Sequence, residues 1–316
     1  MSDVPEQIKC MEVWGGNEPA DRGVSLAGLD AVVHSTPVGA GDSGGDVHYL
    51  SSCATGRITR ILLADVSGHG EIVASTARTL RDLMRRFINF ADQSRLVVGL
   101  NRAFSATETG GRFATAIVAT YWAPTGQLMV SNAGHPRPMV YRARRRAWSV
   151  LDREAESAIA KGASDIPLGI DEDGAYTQFG TTLERGDVVM FYTDALIEAQ
   201  RPDGAMLTEQ GLLALLNEVE MSAPWDLKSM VLQRIEAFRG GGEAKDDTTI
   251  LLLTPNDSVP RAGIGQGLLA SVRIARASFA SLLGRGGAMP LPQMRSDVIG
   301  GAVIEGMNGR GARGRR

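Results

Sequence analysis

Short apolar runs, some alternating with polar residues and some unbroken, punctuate this chain from about Ala31 to Leu253. They predict strands around Ala31–Ser35, Ile58–Ala64, Ala114–Trp122, Gln127–Ser131, Pro138–Arg142, Asp187–Tyr192 and Thr248–Leu253. A different period runs through EIVASTARTLRDLMRRFINF. There Ile72, Thr76, Leu80, Leu83, Met84 and Phe87 recur at three and four, which predicts one buried stripe opposite Arg78, Arg81, Asp82, Arg85 and Arg86. Further helices are predicted over Arg95–Thr107, Glu209–Glu218 and Trp225–Phe238, the last entered through Ser222 and Pro224. The turns APTGQ (Ala123–Gln127) and NAGHPRP (Asn132–Pro138) are too short to hold a helical crossover, so much of the sheet must be antiparallel. Helices outside mainly antiparallel sheets define an α+β fold, and no internal repeat is visible.

At 316 residues with 43% apolar content, the chain can bury a full core as one large domain plus tails. Cys10 and Cys53 are its two cysteines, which argues against a disulfide scaffold. MSDVPEQIKCMEVWGG has neither a basic start nor an apolar stretch of signal-peptide length, so a soluble, cytoplasmic protein is expected. Charge is uneven: residues 261–316 hold nine Lys/Arg against Asp297 and Glu305, a net of +7, which leaves −10 on the rest of a chain whose total is −3. With the Pro/Gly/Asn-rich segment TPNDSVPRAGIG, this predicts an N-terminal arm over 1–25, a folded domain over 26–255 and a basic linker and tail over 256–316. Within that tail, GLLASVRIARASFASLLGR has the pattern of a short amphipathic helix, with Leu268, Leu269, Val272, Ala275, Phe279 and Leu282 on one side. A solvated tail is expected ahead of contact with a partner or an anionic membrane. The acidic body shows no basic groove with interleaved aromatics, which argues against nucleic-acid binding.

The chemistry lies in acidic residues far apart in sequence: Asp46 in GGD, Asp65 in LLADVSGHG, Asp194 in VVMFYTDA and Asp246 in KDDTTILLL. Three of them adjoin an apolar run of strand length. Such a strand buries its aliphatic residues and delivers the flanking carboxylate to the sheet's rim, where like charges repel unless a cation neutralises them. Hard oxygen ligands without a Cys/His cluster favour Mg²⁺ or Mn²⁺. An Asp at a strand end taken alone is more often a turn former or cap. Asp247 neighbours Asp246, and adjacent side chains on a strand point to opposite faces; Asp246 is the expected ligand and Asp247 a solvated or supporting residue.

The ordered blocks GGD, LLADVSGHG, FATAIVATYW, SNAGHPRPMVY, PLGI, GDVVMFYTDALIEA and KDDTTILLL resemble the metal-dependent protein phosphatases (PPM, type 2C). The similarity is to the bacterial branch that includes the stage II sporulation protein E and RsbU phosphatases, and it spans about Asp30 to Thr254. It implies an α-β-β-α sandwich with two divalent cations, Mn²⁺ or Mg²⁺, at one edge. Carried over residue by residue, Asp65 would bridge both metals, the Val66 carbonyl would hold one, Asp194 with Asp246 would complete the other, and Asp46 would stand on the opposite side of the cluster. The implied activity is hydrolysis of phosphoserine or phosphothreonine by metal-activated water, with Asp65, Asp194 and Asp246 catalytic. The implied substrate is a phosphorylated regulatory protein such as a STAS-domain anti-sigma-factor antagonist in a partner-switching pathway. With about 25 residues before the similarity, the activating signal would arrive through a partner, the arm or the tail.

Some positions depart from the family pattern. GGDVHYL carries Tyr49 where a second acid is common, which predicts a weakened metal, and Ala195 replaces the glycine of YTDG. Gly68 lets the chain turn sharply beside the metals. The related eukaryotic enzymes place a histidine two residues after the bridging Asp, whereas Ser67 stands there in this chain; a structural or partner-facing role is therefore expected for His69 ahead of general acid catalysis. His135 is expected to organise the hairpin rim. The reading from another class is a non-catalytic protein that keeps the fold to hold a phosphoprotein or regulator, and a further one is an enzyme acting on small phosphoesters.

Overall fold

The computed structural model describes residues 6–7, 13–38, 43–52, 56–68, 70–87, 90, 92–108, 110–152, 166–219, 221 and 224–258. His69, both cysteines, Ser222 and the tail from residue 259 lie outside this set.

Thirteen strands among the described residues form two sheets. One has seven strands, in the order β1 (Glu6–Gln7), β3 (Ala20–Leu26), β4 (Leu29–Thr36), β13 (Thr248–Pro255), β12 (Val188–Tyr192), β9 (Met139–Arg142) and β10 (Ala147–Val150). The other has six: β11 (Phe179–Thr182), β8 (Gln127–Ala133), β7 (Ala114–Trp122), β6 (Ile58–Val66), β5 (Asp46–Ser52) and β2 (Val13–Gly16). The pairing is antiparallel except that of β1 with β3. Residues 13–26, mostly assigned to an arm by sequence, thus supply two strands of the sandwich.

Parity along the strands builds three apolar layers. Leu50, Ile61, Leu63, Phe191, Leu251 and Leu253 fill the space between the sheets. On the outer face of the six-stranded sheet, Tyr49, Leu62 and Ala64 pack beneath α1 (Glu71–Phe87) and α2 (Gln93–Thr107). Met190, Ile250 and Leu252 do the same beneath α3 (Thr208–Glu218) and α4 (Pro224–Arg239). Helix α1 buries Val73, Ala74 and Ala77 along with Thr76, Leu80, Leu83, Met84 and Phe87, whereas Ile72, placed on the buried stripe by periodicity, is 64% exposed. The buried stripe thus begins at Val73 rather than at Ile72.

The α2 end of this layer holds a polar exception. Arg60 is buried on β6 and donates to Thr120 Oγ1 and the Phe90 carbonyl, while Gln93 Nε2 donates to the Val118 carbonyl at 2.7 Å. A buried guanidinium needs such acceptors to offset its desolvation.

Candidate functional site

Four segments end at the same rim of the sandwich. Asp46 opens β5 and lies directly across from Asp65 in the β5/β6 register. Alternation places both side chains in the layer between the sheets, since Leu50 on β5 and Ile61 and Leu63 on β6 share that parity. From the facing sheet come Thr193, just past β12, and Thr249 on β13, in phase with Phe191 and Leu251. Asp194 begins a single 3-10 turn, Asp194–Leu196, and Asp246 sits in the bend that leads into β13.

Hydroxyls join the two sheets here. Thr193 Oγ1 donates to Asp46 Oδ2 at 2.9 Å, the Thr249 amide donates to Thr193 Oγ1 at 2.9 Å, and the Thr249 and Ser35 hydroxyls are 2.9 Å apart. Asp46 is nearly inaccessible, and burial first, then the charge of Asp65, pushes its carboxyl well above the usual range despite the hydroxyl donors. Asp65 is pushed up to about 7, by burial foremost and then by Asp194, Asp246, Asp247 and Glu198. Asp194 is pushed up to about 6 by burial, Glu198 and Asp246. Five carboxylates therefore repel one another around Asp65.

Asp247 takes a distinct place. Its Oδ1 accepts from the Val38 amide and its Oδ2 from the Gly45 amide, each at 2.6 Å, and its own amide donates to Asp246 Oδ1 at 2.8 Å. The side chain ties the segment before β5 to the start of β13. The pair of glycines ahead of Asp46 makes this approach possible: a Cβ at Gly44 would stand 2.1 Å from Asp247 Oδ2. At Gly45 a Cβ would stand 3.0 Å from the Val66 carbonyl oxygen and 3.5 Å from Asp65 Oδ1, so glycine keeps the space over both oxygens clear.

The donor set fits a hard divalent cation in kind: carboxylates whose protonation is favoured by mutual repulsion, and a carbonyl left uncovered by glycine. Among the described residues no three Asp, Glu, His or Cys side chains converge closely enough to chelate an ion as they stand.

The remaining sequence candidates fall as follows. Gly68 has φ of +106°, a left-handed conformation that a side chain would strain. Ser67 and Phe113 exchange bonds, Ser67 N to the Phe113 carbonyl at 2.9 Å and Phe113 N to Ser67 Oγ at 3.1 Å, fixing the chain after Asp65. His135 is buried, 2.8 Å from Thr115 Oγ1, and Asn132 holds its backbone through two bonds of 2.8 Å. Burial drives its pKa down to about 3, which keeps the ring neutral. Tyr49 points into the layer beneath α1 and α2, away from the rim. Ala195 needs no glycine conformation, since Arg146 and Thr208 are the described non-glycine residues with positive φ. Sequence reasoning missed Thr193, Thr249 and Glu198; the four-residue offset of Glu198 from Asp194, one helical turn, was the available signal for the last.

Two antiparallel sheets flanked by helices, with an acidic cluster at one rim, define the PP2C-type phosphatase fold. Residues 55–256 match the family described as Stage II sporulation protein E (SpoIIE), and the chain belongs to that family. It is 25% identical over 197 residues to phosphoserine phosphatase RsbU of Bacillus subtilis (strain 168), covering 61% of this chain and 54% of that protein, about half its length. Among solved structures, the RsbU and RsbW domains of a Mycobacterium tuberculosis protein share the fold with a TM-score of 0.60 at 23% identity, over 81% of this chain and 70% of that one. RsbX in complex with magnesium does so with a TM-score of 0.52 at 15% identity, over 75% of this chain and all of the other. Among the described residues no helix is long and apolar enough to cross a membrane.

Proposed function

We propose that this chain is a metal-dependent serine/threonine protein phosphatase that acts on a phosphorylated regulatory protein, with a STAS-domain anti-sigma-factor antagonist as the substrate class. The observation that carries the reading is the convergence of Asp46 and Asp65 from one sheet with Asp194 and Asp246 from the other, on a rim where burial and repulsion raise the pKa of Asp46, Asp65 and Asp194. Asp65 with the Val66 carbonyl, Asp194, Asp246 and Asp46 would hold two Mn²⁺ or Mg²⁺ ions. Bound there, such ions supply charge to phosphoryl oxygens and lower the pKa of water.

The chain's own residues prepare this site. Thr193 orients the Asp46 carboxylate by donating to Oδ2, and the Thr249 amide holds the Thr193 hydroxyl in place, so that oxygen faces a fixed direction. Asp247 holds the segment before β5 against β13 and sets the distance between the sheets' acids. Gly45 leaves the Val66 and Asp65 oxygens unobstructed. The catalytic unit on this reading is 26–255 together with β1, β2 and β3 and with Asn256–Ser258, which bond back to Leu26, Gly28 and Asp30, and the basic tail beyond lies outside it.

Manganese-dependent release of phosphate from an aryl phosphate and from a phosphoserine peptide, abolished by a chelator, is the expected result. A second reading is favoured by Tyr49, which stands where a second acid is common and packs beneath α1 and α2, away from the rim. On that reading the chain binds a phosphoprotein without hydrolysing it. Absence of turnover with Mg²⁺ or Mn²⁺, with phosphopeptide binding retained, would establish it in place of the first.

A further inference from the structure

A cleft of about 620 Å³ lies beside the acidic rim, between the segment after the 3-10 turn and the glycine-rich turn that follows α4. Glu198 and Asp246 line it, so it is continuous with the candidate site. A phosphoryl group would occupy a small fraction of this space; the volume is that of a ligand of several residues' bulk.

The rest of the wall is basic. Arg201, Arg239 and Lys245 line the cleft with Glu243. Arg239 donates to the Ala195 carbonyl at 3.2 Å and Lys245 to Gln200 Oε1 at 2.7 Å, both neutral acceptors, so these bonds leave the two positive charges uncompensated. Arg201 lies over the Phe238 ring, 5.5 Å from its centroid, and 3.4 Å from the exposed carboxylate of Asp203. Glu198 and Asp246 belong to the acidic cluster, whose charge the divalent cations of the phosphatase reading would offset. Once it is offset, three cations face Glu243 on the lining. The turn that closes the wall is shaped for access: Gly240 and Gly241 have φ of +61° and +87°, a Cβ at Gly240 would press on Pro202 at 3.0 Å, and one at Gly241 would meet no atom within 4 Å.

We infer that this cleft receives the polypeptide flanking the phosphorylated residue of a protein substrate, and that Arg201, Arg239 and Lys245 select an acidic side chain in that flank. The inference rests on the phosphatase reading and adds to it the chemistry of the sequence read. Arg239 also holds the turn that carries Asp194, so it is left intact in the test.

The test compares the full chain with its Arg201→Gln/Lys245→Gln double variant on three substrates: p-nitrophenyl phosphate and two phosphoserine peptides that differ only in flanking Glu or Gln. The variant should raise KM for the Glu peptide about tenfold, the equivalent of 1.4 kcal/mol and reasonable for two partly exposed charge pairs. The other two substrates should stay within about twofold and kcat should hold. Raising salt to roughly 0.5 M should shrink the difference. An equal change on all three substrates, or none on any, overturns the inference. Absence of hydrolysis of every substrate by the parent with Mn²⁺ counts against the phosphatase reading instead. The cleft is then tested by fluorescence anisotropy of the labelled Glu peptide: about tenfold weaker binding to the variant upholds it, and equal affinity overturns it.

Discussion

Replacing Asp194 with Asn removes one negative charge from the crowded rim while keeping the side chain's shape. Its carboxyl is pushed up to about 6, by burial first and by Glu198 and Asp246 after that. A raised folded-state pKa means that the fold disfavours the charged form. The penalty is absent below the unfolded value of about 3.8 and complete above about 6. At about 1.4 kcal/mol per pH unit the ceiling is roughly 3 kcal/mol, and because Asp194 is partly exposed, solvent screening reduces it to about 1 kcal/mol. For a domain of this size that corresponds to roughly 2–4 °C in Tm. With a chelator at about pH 7.5, the Asp194→Asn protein should therefore melt about 2–4 °C above the parent in differential scanning fluorimetry, with the gain fading as pH falls toward 4. Mn²⁺ should reverse the ranking: at about 100 times Kd it would stabilise the parent by about 2.7 kcal/mol and the variant by less. Phosphate release should be lost. A parent that melts at or above the variant in chelator, or a gain that does not vary with pH, would refute the argument from repulsion.

Asp247→Ala strips the acceptor from the Val38 and Gly45 amides and should cost about 2–4 kcal/mol in denaturant unfolding, with weaker Mn²⁺ binding by calorimetry; a variant as stable as the parent would show the tie to be idle. Gly44→Ala, whose Cβ would meet Asp247 Oδ2 at 2.1 Å, should produce the same defect, and the two changes combined should be less than additive in a double-mutant cycle. His48 and His135 are buried, with pKa values lowered to about 3, so each stabilises the fold only while neutral. Stability should fall as pH drops from about 6.5 toward 3, by up to about 1.4 kcal/mol per unit per ring, and His48→Leu should flatten that slope in denaturant titrations between about pH 6 and 4. Truncation after Ser258 should preserve Tm and aryl phosphate hydrolysis. Truncation after Thr254 should lower Tm measurably, because it removes the bonds of Asn256 to the Leu26 carbonyl at 3.1 Å and to Asp30 at 2.7 Å.

Much of the sheet was legible because β6, β7, β8 and β12 carry unbroken or alternating aliphatics between turn residues. Strand β5 escaped notice for a physical reason. It is buried on both faces, yet His48, Ser51 and Ser52 interrupt its apolar pattern. Strand β3 carries Asp21, Arg22 and Gly23 and reads as a loop, and its pairing with β4 is what makes it a strand. Asp65, Asp194 and Asp246 were visible as carboxylates beside apolar runs, and Asp46 through its GGD block. The hydroxyls that orient them were not, since Thr193 and Asp46 are 147 positions apart and meet only because two sheets pack face to face. The choice between Asp246 and Asp247 exceeded what alternation can decide, because both precede β13 rather than lying within it, and hydrogen bonds to the Val38 and Gly45 amides fix the orientation of Asp247.

The bond from Thr193 to Asp46 crosses from one sheet to the other, and so does the grip of Asp247 on Gly45. The acidic rim is therefore a vernier on the sandwich, with one scale engraved on each sheet. Sliding the layers by on the order of half an ångström misaligns the scales without touching a single acid. What holds the two scales in line is the packing between the sheets, to which Phe191, Leu251 and Leu253 belong.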